Sequence, residues 1–380
     1  MPARAPVGIV SRTLARLDPL SLKPLAPRLR LGEYHDTWSF SPDRSRLALG
    51  MGGVGRICGA GICIVDLASM RIIEHVEAPI AAEAVGWVSR RRVVAVLQSG
   101  QVVVADPVTG KTRRRRHLRV ATFGPPSAAT PDGFAVLLGG DPLRLVVVDA
   151  QGRLRAARLG RIRLRDEPPL PPERAGLAVD PARRRALVFA AGAPAAEVDL
   201  RTMRVRYHRL RTPPTARVPA RGIRARVRCA LWLGRGLVAV FGEDVVSDRG
   251  AAARGVKEFP AGVRVIDTER WTTRTVQRRA NRARLGAGRL LVYTRSPSAL
   301  QPAGVGLRVY TRGGRRLFAH RFGNKTLDVQ VAGGYAYALS SRALRIVRVR
   351  SGRVLRESGR PPSGETRILS SRLGSGYRCG

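Results

Sequence analysis

The sequence predicts an all-β fold, a single β-propeller of four-stranded blades. Three observations predict it. An aliphatic run ending in Asp, then a polar turn, then a second β-rich run recurs along the 380 residues. Each of these markers after the first is preceded by another hairpin of short apolar strands. No segment sustains a helical period of apolar residues. Repeats built only of strands and spaced by roughly 40–50 residues are the mark of propeller blades.

In chain order the markers are "TLARLDPLSLKPL" with Asp18, "ICIVDLASMRII" with Asp66 and "VVVADPVTGKTR" with Asp106. "LVVVDAQGRLRA" with Asp149, "AAEVDLRTMRVR" with Asp199 and "VRVIDTERWTTRTV" with Asp267 follow. Two degenerate copies lack the Asp, "LRVYTRGGRRLF" around Thr311 and "LRIVRVRSGRVL" around Arg350. Asp followed by Pro, Thr, Gly or Ser supplies side-chain-to-backbone turn bonds, and Gly supplies positive φ. These copies are the outer strand pairs.

The inner pairs are the hairpins at 38–50, 85–98, 127–139, 177–191, 230–242, 283–294 and 329–340. Runs such as "RLALG" and "LVAVFG" are nearly continuously apolar, as expected of strands covered on both faces by neighbouring blades. Seven inner pairs stand against eight outer ones. The surplus outer pair is residues 8–31, and an unpaired hairpin there would leave open edges. The segment "TRILSSRLGSGYRC" (366–379) can supply two short inner strands and close an eighth blade across the termini. Eight blades are therefore expected rather than seven with an appended hairpin. The whole of 1–380 reads as one domain, with 1–7 and 359–365 flexible.

The charge is lopsided: 69 Lys plus Arg against 27 Asp plus Glu, a formal +42. Lys occurs only at Lys23, Lys111, Lys257 and Lys325. Arg codons are GC-rich, so a GC-rich genome would produce this skew without selection for a ligand. Whatever its origin, a field of this size attracts polyanions. Aromatic residues are only 5%, too few for a base-stacking surface. Nucleic-acid binding is expected to be nonspecific.

Cys58 and Cys63 frame "GAGI". They are either a loop disulfide or two free thiols. No run is long enough for a membrane helix, and no signal peptide is visible. As it stands the chain reads as cytoplasmic, or extracytoplasmic if the true start lies upstream with a signal peptide.

The repeats resemble those of bacterial WD-repeat-like, YVTN-type propellers. The residues that carry the likeness are "IVDLASMRIIEHV", "VADPVTGKTRRRRHL", "EVDLRTMRV" and "VIDTERWTTRTV", with "SPDRSRLAL" and "TPDGFAVLL" as inner turns. The Gly-His and Trp-Asp signatures of true WD repeats do not recur. The resemblance implies the fold and a protein-binding platform. It implies no reaction, since one fold hosts many functions.

In a propeller the turns within hairpins lie on one face, and the connections between hairpins and blades lie on the other. The second set holds the long loops: 51–61, 160–176, 211–222, 242–262 and 295–306. Binding residues concentrate on such loops. Polar residues just before each innermost strand should ring the channel mouth. They are His35, Asp36, Glu83, Glu173, Arg174, Arg224, Arg226, Asn281, Arg282 and Asp328. The ring mixes signs, which suits mutual salt bridging as well as a ligand pocket.

His75, His117, His208 and His320 read as surface imidazoles on outer strands. His35 with Asp36 could form a base with an acidic neighbour, but adjacent strand residues point oppositely. Zinc-site spacing, a Ca²⁺ loop, G-x-S-x-G, P-loop and H-E-x-x-H are absent. A pyrroloquinoline quinone enzyme would carry a recurrent Trp, but Trp38, Trp87, Trp232 and Trp271 occupy different repeat positions. The sequence thus predicts a non-enzymatic, monomeric binding or scaffold module without cofactor or metal. Its partner would be a protein or an anionic polymer. The alternative is a lyase or quinoprotein-type propeller enzyme acting at the channel mouth.

Overall fold

The computed structural model describes residues 6–10, 13–31, 37–51, 58–78, 80–117, 125–165, 173–210, 223–247, 257–295, 304–322, 326–340, 343–358 and 366–369. Among them every regular element is a strand, and the strands form eight antiparallel sheets. The fold is an eight-bladed propeller. Blades 2 to 5 span 37–77, 82–117, 127–159 and 176–208. Blade 6 spans 223–277, blade 7 spans 282–320 and blade 8 spans 326–358.

Blade 1 closes the ring, though not by the expected two plus two strands. Three strands come from the N-terminal block: Val7–Val10, Thr13–Leu17 and Pro24–Arg30. One innermost strand, Thr366–Ile368, comes from the far end of the sequence and pairs with Val7–Val10. The reason is local. Val7–Val10 runs ahead of the Asp18 hairpin and already fills the second place in the blade, so a single strand completes it. Ile368 packs with Tyr337, Leu344 and Ile346 of blade 8 and with Ala15 and Leu17 of blade 1. Residues 1–5, 359–365 and 370–380 lie outside the described residues.

Burial follows position in the blade. In Gly133–Leu138 and Arg185–Phe189, both second strands, every residue is buried. Each is flanked by strands on two sides and covered by blades on both faces. The outermost strand Pro24–Arg30 has no buried residue. Seams between blades are close. At Gly86 of blade 3, a Cβ would collide with the Phe134 ring of blade 4. Between blades 2 and 3, Trp87 Nε1 donates to the Ser39 carbonyl at 2.9 Å.

The recurrent Asp does what the turn chemistry predicts. Asp66 Oδ1 accepts from the amides of Ala68 (3.1 Å) and Ser69 (2.8 Å). Asp199 Oδ1 accepts from Arg201 and Thr202, both at 2.8 Å. Asp18, Asp106, Asp149 and Asp267 repeat the pattern. The turn then passes through a left-handed residue: Leu22, Met70, Gly110, Gly152, Met203 or Trp271. In blade 7 Thr311 stands in the Asp place. In blade 8 it is Arg348 rather than the neighbourhood of Arg350. The Arg348 carbonyl accepts from Gly352 N at 2.8 Å, as the Asp199 carbonyl accepts from Met203 N at 2.8 Å.

Blade 6 departs most from the sequence expectation. Its inner hairpin starts at Ile223, not 230, and pairs Ile223–Gly234 with Leu237–Ser247. The span 242–262 is therefore only partly loop. The second strand continues to Ser247, and Lys257–Pro260 pairs with it as a fifth strand. This extra sheet lengthens the interval between Asp199 and Asp267. The alternating strand directions put turns within hairpins on one face and all other connections on the opposite face. These are called the turn face and the loop face below. The middles of the predicted long loops, at 52–57, 166–172, 211–222, 248–256 and 296–303, lie outside the described residues.

Candidate functional site

The predicted rim residues are not all where the sequence puts them. Glu173 and Arg174 do precede the innermost strand of blade 5, and Asn281 precedes that of blade 7. Glu83, Arg224, Arg226, Arg282 and Asp328 lie within strands. Innermost strands run further toward the loop face than their apolar cores, because neighbouring blades satisfy the polar side chains at their ends. Glu83 sits where the pairing register shifts between Ala82 and Ala84. His35 and Asp36 lie outside the described residues, as does the side chain of Arg224.

Between blades 6 and 7 the rim is a buried ion pair. Arg282 Nη1 lies 3.1 Å from Glu243 Oε2, with both side chains almost fully buried. Asn281 Nδ2 donates to the same carboxylate at 3.2 Å, and Asn281 Oδ1 accepts from Arg295 N at 2.9 Å. Strand alternation sends the next residue to the other side of blade 6. There Asp244 Oδ1 accepts from Arg228 Nη2 at 2.7 Å. Glu173 Oε2 accepts from the Arg165 amide at 3.0 Å. The Arg174 backbone is bonded to blade 6 through Arg226 O and Arg228 N.

Between blades 7 and 8 the rim centres on Asp328. It accepts from Tyr293 Oη at 3.0 Å, from Gln330 Nε2 at 2.9 Å and from its neighbour Val329 N at 2.8 Å. Burial alone would push its carboxyl up. The Arg284 guanidinium, the Gln330 amide and Arg295 outweigh burial and hold it below the usual carboxylate range. Burial, with the Asp328 charge beside it, pushes the Tyr293 phenol up to about 12. Gln330 Oε1 also accepts from Ile368 N, tying this cluster to the closing strand.

The structure thus joins Arg282 to the predicted Asn281, and joins Arg282 and Asp328 to partners absent from the sequence expectation: Glu243, Tyr293, Arg284 and Gln330. The run "VAVFGED" carries a signal for Glu243 and Asp244, two carboxylates directly after a buried apolar run. Reading 242–262 as loop hides it.

Cys58 and Cys63 are joined by a disulfide. Cys229, in the innermost strand of blade 6, is disulfide-bonded as well. The four described histidines all lie on outermost strands. His208 and His320 are not simple surface imidazoles. The His208 ring stacks on Trp271 with centroids 3.6 Å apart, and its Nε2 lies 2.9 Å from Glu197 Oε2. His320 Nε2 is 2.8 Å from the Gly352 carbonyl. Among the described residues no three His, Cys, Asp or Glu side chains converge on a common point. No described helix is long and apolar enough to cross a membrane.

The turn face has a cluster of its own, between blades 5 and 6. Arg185 is nearly fully buried. Its Nε contacts Asp180 at 3.1 Å and its Nη1 contacts Glu197 at 3.3 Å. Its Nη2 reaches across the seam to Thr268 Oγ1 at 2.8 Å and to Glu269 Oε1 at 3.1 Å. Arg183 pairs with the same Glu269. That hydrogen bond, with the charges of Arg183 and Arg185, holds the Glu269 carboxyl below its usual range against the opposing effect of burial.

No protein-family model matches the sequence, and no curated protein does. Solved structures match over nearly the whole chain. One is dihydro-heme d1 dehydrogenase NirN in complex with DHE, at 16% identity and TM-score 0.61, covering 97% of this chain and 76% of that one. Another is BamB from Moraxella catarrhalis, at 13% identity and TM-score 0.54, covering 90% and 95%. A third is the Dos1 propeller, at 11% identity and TM-score 0.55, covering 94% and 88%. At these identities the likeness is one of fold.

Proposed function

We propose that this propeller, WD-repeat-like and of YVTN type, is a non-enzymatic binding and scaffold module. It engages a protein partner through its loop face and holds anionic polymers without sequence preference. The observation that supports it is the pairing along the rim. Arg282, Glu243, Arg228, Asp244, Asp328 and Tyr293 spend their polar atoms on one another across or within blades. A rim built this way is a rigid base for loops. The formal +42 supplies the polyanion affinity, and because it rests on Arg it persists at any ordinary pH. The Cys58–Cys63 disulfide favours an oxidising compartment for the native protein.

Competition between two unrelated DNA duplexes across a salt series tests the polyanion part. Equal affinities falling together, linearly in log–log form, are expected from counterion release. One duplex holding on at high salt would mean a dedicated base-reading site. An absorption and metal scan of the purified protein tests the non-enzymatic part. A stoichiometric chromophore or metal would replace this proposal with an enzyme or carrier.

A further inference from the structure

Blades 6 and 7 meet on the turn face over a cleft of about 460 Å³. Arg235, Arg289 and Arg312 line it, and no carboxylate does. Among the described residues none of the three is in an ion pair. Arg289 and Arg312 are half-buried and Arg235 is exposed.

The turns are shaped for close approach. Gly234 and Gly288 have φ of +87° and +74°. The Arg312 guanidinium lies 2.9 Å from where a Cβ on Gly234 would stand, and 3.7 Å from that of Gly288. Its head therefore lies against both inner turns, whose left-handed backbone favours glycine.

The turns that border this cleft lack acids in both blades. Six blades carry an Asp at the outer turn; blade 7 has Thr311 there, and its Oγ1 accepts from Arg315 N at 3.1 Å. The turn keeps a side-chain bond but loses the charge. The inner turns of blades 2, 4 and 5 contain Asp43, Asp132 and Asp180, whereas that of blade 7 reads "GAGR". Three arginines thus line one cleft that has no carboxylate in its lining, although Arg235 also borders the neighbouring cleft with Asp180 and Glu269; each guanidinium is a planar fork suited to phosphoryl oxygens.

We infer that the turn-face cleft between blades 6 and 7 binds a phosphorylated small molecule, its phosphoryl oxygens held by Arg235, Arg289 and Arg312. This site is local and saturable, unlike the diffuse field behind the polyanion affinity. It lies on the face opposite the long loops.

Calorimetric titration with inorganic pyrophosphate at about 0.15 M salt, where long-range attraction is screened, tests it. One saturable site per chain is expected. Changing Arg235, Arg289 and Arg312 together to Gln should weaken binding about tenfold or more, the scale of lost charge-assisted hydrogen bonds. A control changing Arg71, Arg144 and Arg206 to Gln removes the same charge from exposed positions. It should alter binding by no more than about twofold. Thr311→Asp restores the carboxylate that six other blades carry. It should keep or raise the melting temperature, abolish pyrophosphate binding and leave DNA affinity nearly unchanged. The inference is overturned by equal weakening in the two triple variants, by wild-type affinity in Thr311→Asp, or by the absence of a saturable site in the parent protein.

Discussion

The seam between blades 5 and 6 and the seam between blades 6 and 7 are related by one step around the ring. On the turn face they are built from equivalent turns. At the first seam Arg185 is enclosed by Asp180, Glu197 and Glu269, and Arg183 shares Glu269. At the second, Gly234, Thr311 and Gly313 occupy the corresponding turns, and only arginines are charged. Arg235 borders the clefts at both seams. The scaffold is the same, and the difference is where the scarce acids fall. With 27 acidic residues against 69 basic ones, a seam that holds several carboxylates becomes a clamp. A seam that holds none becomes a receptor for outside anions.

Arg185→Met should have the largest effect. It leaves the buried Asp180 carboxylate without its guanidinium partner, while Thr268 keeps its own bond to the Gly236 carbonyl, and removing one partner of a buried pair costs about 3–5 kcal/mol. Urea unfolding measures it. A change near zero would mean that the clamp is not what joins blades 5 and 6.

Glu269→Gln gives an intermediate effect that depends on pH. Folding lowers the Glu269 carboxyl below the ordinary glutamate value of 4.5. Its contribution is therefore complete above pH 4.5 and lost as the pH falls through the lower folded value. The urea midpoints of parent and variant should differ at neutral pH and converge as the pH falls through the lowered folded value. A gap that persisted in acid would show that shape rather than charge matters there.

Arg289→Gln should do least, within about 0.5 kcal/mol of the parent. Any shift should be toward stability, since it relieves repulsion in the carboxylate-free cleft. A loss as large as that of Arg185→Met would reveal an internal partner and remove the contrast between the seams.

The parts of this molecule that are legible in the sequence are those decided within a few residues. The Asp18, Asp66, Asp106, Asp149, Asp199 and Asp267 turns are visible because each carboxylate bonds to amides two to four residues on. Blade count follows from those six turns together with the two degenerate copies around Thr311 and Arg350. The three-plus-one closure was hidden because Val7–Val10 carries no marker and pairs with Thr366–Ile368 only through the finished ring. The Arg185 cluster was invisible for a similar reason. Its partners Thr268 and Glu269 lie 83 and 84 residues away, and repeat spacing says which blades exist but not which side chains meet between them. The degenerate copy at Thr311 was visible. Its meaning needed the neighbouring turns of blade 6 in place.

The three-plus-one closure also sets a timetable for synthesis. Val7–Val10 leaves the ribosome about 360 residues ahead of its partner strand Thr366–Ile368 (Gly8 pairs with Ile368). At about 5–20 residues per second, the interval is on the order of tens of seconds. Throughout it the nascent chain is an open arc, and the edge of its first-made blade offers unpaired amides and carbonyls to any passing strand. The bond that finishes the ring also has very large sequence separation, the kind of contact that forms slowly. Survival of the newborn chain therefore rests on how well that single edge is shielded before residue 366 arrives.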